Sequence, residues 1–214
     1  MQKLAIIDYG MGNLHSVSKA VQTVAPEQEV IVTSCPDTIY QADRVIFPGV
    51  GAIRDCMSEI HRLNIGEIVA NFVKEKPVLG NCVGMQALMN FSEENGGVDC
   101  LGLVDGRVKY FGDQHVDQDG TRLKVPHMGW NIVHQQVPHP LWKDVPQDTR
   151  FYFVHSYHIH CDNANKVAAT ANYGITFDAA LFDNNLFAVQ FHPEKSQHAG
   201  LQLLKNFTQW NGKF

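Results

Sequence analysis

The chain has 214 residues, of which 44% are hydrophobic and 18% charged; that length suffices to bury roughly 70% of the extended surface on folding, and the balance is the opposite of a disordered composition. A formal net charge of −5 argues against a nucleic-acid protein held by a broad basic face. The five cysteines are odd in number, irregularly spaced and without a CxxC pair, which argues against a disulfide framework or zinc ribbon and fits a reducing cytoplasm.

In chain order, the first half alternates strand and helix. Residues 3–7 (KLAII) form a short apolar run that stops at Asp8-Tyr9-Gly10, a buried strand feeding a loop and too brief for a signal-peptide core. Residues 14–25 place Leu14, Val17, Val21 and Val24 at helical spacing. EVIVT (29–33) and RVIF (44–47) are β-branched runs stopped by Cys35-Pro36-Asp37 and Pro48-Gly49. Residues 52–75 predict one or two helices broken near Asn64 and Gly66, PVLG (77–80) a strand, and MQALMNF (85–91) the helix after it. Strands alternating with helices imply a mostly parallel sheet covered on both faces.

From about 100 to 192 the pattern changes. GRVKYF, WNIV, RFYFVHSYHIH, KVAATANY and LFAVQF are strand-like pieces separated by Gly, Asp, Asn and Pro, which predicts antiparallel strands attached to the sheet edge. Residues 197–210 then form an amphipathic helix, with Leu203, Phe207 and Trp210 at i, i+4 and i+7 and Leu204 beside them. No run approaches the ~18 apolar residues of a membrane span. The expectation is an α/β fold in a single domain over 1–214, a mostly parallel central sheet with helices on both faces and an added antiparallel β region, working in the cytoplasm.

Three segments could carry chemistry. Val78-Leu79-Gly80-Asn81-Cys82-Val83-Gly84-Met85 runs from a strand through G-x-C-x-G into a helix. This is a nucleophile elbow: flanking glycines permit a tight turn that presents the apical side chain, and a helix N-terminus favours the reactive thiolate. The rival reading is a buried, inert cysteine. In Gln190-Phe191-His192-Pro193-Glu194, residues two apart in an extended segment project to one side, so His192 and Glu194 can serve one site. A thiol nucleophile needs a base, and the base needs a group to orient it. Alone, His-Pro-Glu is weak, because a surface histidine beside a carboxylate is common. Phe47-Pro48-Gly49-Val50-Gly51-Ala52 offers glycines at a strand end, suited to a backbone N–H that faces an oxyanion. A dinucleotide fingerprint is rejected there, since Arg54 stands where a third glycine belongs, and likewise after Gly10 and Gly12, where His15 does.

His155, His158 and His160 lack HExxH or Cys/His ligand spacing. They read as an aqueous strand face plus one substrate-side histidine, with no metal and no cofactor. Cys56, Cys100 and Cys161 read as structural, and Trp142, Phe72, Met85 and Met89 as core.

PGVGA, GxCxGMQ and QFHPEKS stand in that order, joined by IDYGMGNLHSV at 7–17, VPHMGWN at 125–131 and YFVHSY at 152–157. Together these motifs resemble the class I glutamine amidotransferases from residue 4 to about 210. The resemblance implies a Cys-His-Glu triad of Cys82 as nucleophile, His192 as general base and acid, and Glu194 as orienting carboxylate. It implies an oxyanion hole from Gly51 and the Val83 N–H, with a PGVG strand that reorients to complete it. Gln86, Ser156 and Tyr157 match positions that grip the glutamine amino-acid moiety. Asn13, Met128, Trp130, Tyr152 and Lys195 match positions facing a partner, a (β/α)8-barrel cyclase that consumes the ammonia. Two departures stand out: Asn81 replaces an expected aliphatic residue, where its amide could bond locally, and His158 replaces a second Tyr. Rival readings are the same chemistry feeding a sugar amidation, or an inactive scaffold.

Overall fold

The computed structural model describes residues 2–113 and 115–213. The apolar runs of the first half become β1 (Lys3–Ile7), β2 (Glu29–Thr33), β3 (Arg44–Phe47) and β4 (Val78–Asn81). Between them lie α1 (Leu14–Val24), α2 (Pro36–Gln41), α3 (Ile53–Arg62) and α4 (Ile65–Phe72). Pro36-Asp37 does more than stop a strand: proline in the first helical turn loses no hydrogen bond, and α2 begins on it. The break at Asn64 is as expected, with that residue in the left-handed region at φ 54° between α3 and α4.

After β4 the chain forms α5 (Val83–Ala87), shorter and earlier than the helix expected over 85–91, and Phe91 already belongs to β5 (Phe91–Ser92). Then follow β6 (Val98–Asp99), β7 (Gly106–Tyr110), β8 (His127–Gln135), β9 (Thr149–His155), β10 (Tyr157–Cys161), β11 (Val167–Tyr173), β12 (Ile175–Asp183) and β13 (Leu186–Val189), and the amphipathic tail is α6 (Gln197–Gln209). The second half departs from the sequence expectation at two places. Residues 175–183 form β12, a strand the sequence reading did not find. And LFAV is no antiparallel edge piece: β13 lies beside β4 and parallel to it.

Among the described residues the strands join in one sheet whose main path runs β2-β1-β3-β4-β13-β12-β10-β7-β5-β6. β2 through β13 are parallel, and β12 continues antiparallel. β8 and β9 pair as an antiparallel ribbon held through β11. The central strands read as unbroken apolar runs because both of their faces are covered. Successive residues go to opposite cores: Ala5, Val45, Val78 and Ala188 face α3, α4 and α5, whereas Leu4, Ile46, Leu79 and Phe187 face α1 and α6. This is a mixed α/β fold with a large sheet flanked by helices, and no described helix is long and apolar enough to cross a membrane.

Candidate active site

The parallel strands β3 and β4 and the end of β13 converge on one cavity of about 500 Å3. Cys82 ends β4 at φ 53° and ψ −118°, a conformation that costs a non-glycine residue roughly 1–3 kcal/mol and persists only where its surroundings enforce it. Its N–H donates to the Val189 carbonyl at 2.8 Å, and its carbonyl accepts from Met85 and Gln86 at 3.0 and 3.2 Å. The strained residue is thus tied both to the sheet and to the first turn of α5. The glycine after Val83 has a specific cause: a Cβ on Gly84 would lie 2.0 Å from the Phe47 carbonyl oxygen. Only glycine lets β3 approach the elbow so closely.

His192 follows β13. Its N–H donates to the Tyr152 carbonyl at 2.9 Å, and its carbonyl accepts from the Ser196 hydroxyl at 2.6 Å. The Ser196 hydroxyl in turn accepts from the Tyr152 N–H at 2.9 Å, so one serine fixes both β9 and the histidine turn. The imidazole Nδ1–H donates to Glu194 Oε1 at 2.9 Å, and both side chains are 1% exposed. Because a carboxylate can only accept, that bond assigns the proton to Nδ1 and leaves Nε2 to exchange protons. Nε2 is buried without a hydrogen-bond partner. Burial alone disfavours the imidazolium, but the adjoining Cys82 sulfur and Glu194 outweigh it and raise the His192 pKa to about 10.

β9 and the turn into β10 also line the cavity, through Val154, His155, Ser156 and Tyr157. Here His155 donates from Nδ1 to the Tyr157 carbonyl at 2.8 Å, so its Nε2 accepts from His127 Nδ1 at 2.9 Å. Burial pushes His155 down to about 3 and His127 down to about 4. Phe111, Phe153, Tyr173 and Phe177 surround this pair. The expected aqueous face is therefore corrected: His155 and His158 are buried among aromatic rings, and only His160 of the three is exposed. Among the described residues no group of three or more His, Cys, Asp or Glu is placed to hold a metal ion.

Asn13, Gly51, Cys82, Val83, Gln86, Ser156, Tyr157, His192 and Lys195 all line the cavity. Gln86 commits its amide nitrogen to the Tyr157 carbonyl at 3.1 Å and to Gln190 Oε1 at 3.0 Å, which leaves its amide oxygen to meet a ligand. Glu194 stands behind His192. Met128, Trp130 and Tyr152 lie outside the cavity, on the β8–β9 ribbon, with Met128 63% and Trp130 43% exposed. Trp130 and Tyr152 are cross-strand neighbours whose rings meet edge to face at 6.0 Å. The Val83 N–H is not free: it donates to the Gly49 carbonyl at 3.3 Å. Asn81 is buried and its Oδ1 has no partner, so the local bond the sequence suggested is not made by that oxygen.

Sequence reasoning missed Glu94, a half-buried cavity residue whose pKa burial raises and whose Oε2 accepts from the Ile53 N–H at 3.2 Å. In sequence it sits in Glu93-Glu94-Asn95, which reads as a solvated acidic turn.

Residues 5–210 match the family model described as glutamine amidotransferase class-I, and the chain belongs to that family. Its fold is also that of a solved glutamine amidotransferase at a TM-score of 0.70 and 14% identity, covering 96% of this chain and 97% of that one. A second, from Thermotoga maritima, gives a TM-score of 0.61 at 12% identity, covering 97% and 83%. The particular relatives are more specific. The chain is 56% identical over 214 residues, all of both chains, to imidazole glycerol phosphate synthase subunit HisH of Pseudomonas syringae pv. syringae. It is also 56% identical over 212 residues, 99% of each chain, to subunit HisH of Nitrosococcus oceani. The protein is an enzyme, a glutamine amidotransferase subunit.

Proposed function

We propose that the chain hydrolyses L-glutamine through Cys82, His192 and Glu194 and delivers the ammonia to the cyclase subunit of imidazole glycerol phosphate synthase. The observation that carries this reading is the buried His192–Glu194 bond beside a cysteine held at positive φ in one cavity. The Cys82 thiolate attacks the carboxamide carbon of glutamine. His192 gives its Nε2 proton to the departing ammonia, leaving a γ-glutamyl thioester. A water that loses its proton to the same nitrogen then releases glutamate. Gln86, Ser156 and Tyr157 are well placed for the amino-acid end of the substrate, and the half-buried Glu94 carboxylate suits its ammonium.

In this reading the N–H groups of Gly51 and Val83 hold the tetrahedral oxyanion. The Gly49 carbonyl occupies Val83 in the resting chain, so the PGVG segment has to shift before the hole is complete. Low activity of the chain alone follows, and a partner that favours the shifted segment raises it. The partner docks on the β8–β9 ribbon around Met128, Trp130 and Tyr152, beside Asn13 and Lys195 at the cavity mouth. Exposed apolar side chains of this kind mark an interaction surface. The assembly is a heterodimer of cytoplasmic glutaminase and (β/α)8-barrel cyclase, which uses ammonia to make imidazole glycerol phosphate and an aminoimidazole carboxamide ribotide.

The test is glutamate release by the chain alone and with the cyclase subunit and its nucleotide substrate. A low rate that climbs on addition is expected. Cys82→Ala should lower glutamine turnover by about 10³-fold or more while synthesis from added ammonium salts continues. Loss of both activities would overturn the division of labour.

A further inference from the structure

Three successive carbonyls of the PGVG segment, which follows β3, are each held from outside the segment. Pro48 accepts from the Tyr9 hydroxyl at 2.6 Å, Gly49 from the Val83 N–H at 3.3 Å, and Val50 from the Cys56 thiol at 3.5 Å. Tyr9 is 1% exposed and Cys56 fully buried, and neither lines the cavity. Burial raises the Tyr9 pKa well above its usual value and pushes the Cys56 thiol up to about 12. Both groups therefore stay protonated, and remain donors, across the working pH range. The segment also has little lateral freedom. A Cβ on Gly49 would meet the Gly84 nitrogen at 2.6 Å and the Tyr9 hydroxyl at 2.7 Å. By contrast, Gly51, at the end of the segment, sits at φ 97° and is exposed.

We infer that Tyr9 and Cys56 are positioning residues that latch the PGVG segment in its resting arrangement, keeping the Gly49 carbonyl on the Val83 N–H. This inference rests on the reading of Val83 as an oxyanion donor. Neither residue touches the substrate. The Tyr9 and Cys56 bonds flank the Gly49 peptide on both sides, so that peptide cannot turn away from Val83 while both hold. Breaking either one weakens the resting arrangement alone, because the donor's partner is a carbonyl of the segment that must move. Removing one such hydrogen bond shifts an equilibrium by about 3- to 10-fold.

The decisive experiment compares Tyr9→Phe, Cys56→Ala and Cys56→Ser in the full chain, measuring glutaminase kcat and glutamine KM with and without the cyclase subunit. Tyr9→Phe and Cys56→Ala should each raise the unstimulated kcat by about 3- to 10-fold. Glutamine KM and the partner-stimulated kcat should stay within about twofold, since the shifted segment and the cavity are untouched. Cys56→Ser keeps a donor and should stay near the parent rate, which mere loosening of the core would not reproduce. Tyr9→Phe conserves the ring, and if it fails to fold Cys56→Ala alone decides. An unstimulated kcat that is unchanged or lower in folded variants overturns the latch. Cys82→Ala, measured alongside, separates the two ideas: residual glutamine turnover there defeats the triad reading, whereas a dead Cys82→Ala with unresponsive latch variants defeats only the latch.

Discussion

Two buried histidines line the same cavity, and the structure treats them in opposite ways. His192 donates Nδ1–H to a carboxylate and lies against the Cys82 sulfur, so its pKa rises to about 10. His155 donates Nδ1–H to a carbonyl, faces another histidine and is packed among aromatic rings, so its pKa falls to about 3. Burial works against the imidazolium in both places. What separates them is whether a negative partner offsets the lost hydration. His192 is therefore held in a setting that favours its charged form, and His155 in one that favours its neutral form.

The contrast is broken most sharply by substituting each histidine in turn. The proposed triad requires that His192→Asn lower glutaminase kcat by about 10³-fold or more. His155→Gln should leave kcat within about tenfold and instead cost about 1–3 kcal/mol of stability, because the His127 N–H and the Tyr157 carbonyl lose their partner. Steady-state kinetics and urea denaturation of the two variants decide it, and a His155 variant as inactive as the His192 one would assign His155 a part in proton transfer.

The pH dependence of stability sharpens the same contrast. For His155 and His127 the folded pKa lies below the unfolded value of about 6.5, so their contribution is present above pH 6.5. It is lost as pH falls from there toward 4, each histidine taking up one proton on unfolding at about 1.4 kcal/mol per pH unit. For His192 the sign reverses: its contribution is full below about 6.5 and is lost as pH rises through about 10. Thermal unfolding across this range should show an acid limb that flattens in His155→Gln and an alkaline limb that flattens in His192→Asn. Identical limbs in the parent and both variants would contradict the opposed assignments.

The smallest expected effect concerns the elbow. Asn81 carries a buried amide oxygen without a partner. Asn81→Val, which removes that oxygen at similar volume, should raise stability by about 1 kcal/mol and leave kcat within about twofold. Thermal melting measures it, and a fall in Tm would show that the asparagine amide is satisfied in the folded chain.

The parallel half of the molecule was legible because its strands are short, β-branched and punctuated by Gly and Pro, as in KLAII and RVIF. The motif segments around Cys82, His192 and Gly51 were legible because unusual residue types stand at fixed offsets from strand ends. Other features were hidden for physical reasons. β12 (ITFDAALFD) mixes alanines and aspartates on a strand whose partners lie on both sides, so no clean alternation marks it. α2 hid behind Pro36, which serves a helix start as well as a strand stop. The burial of His155 and His158 depends on Phe111 and Phe177, far away in sequence. Glu94 enters the cavity only because α3 and the turn after β5 meet.

β13 is short, yet it sits between β4 and β12 and delivers His192 and Glu194. A strand from near the end of the chain thus closes the middle of the sheet. During synthesis, β1 through β4 emerge first and can pair with one another, but β4 keeps an open edge until residues 186–189 are made. Cys82 is by then long since translated. Cys82 and His192 are therefore brought together only when this distant pairing is made, and the triad proposed above cannot assemble before the sheet is whole.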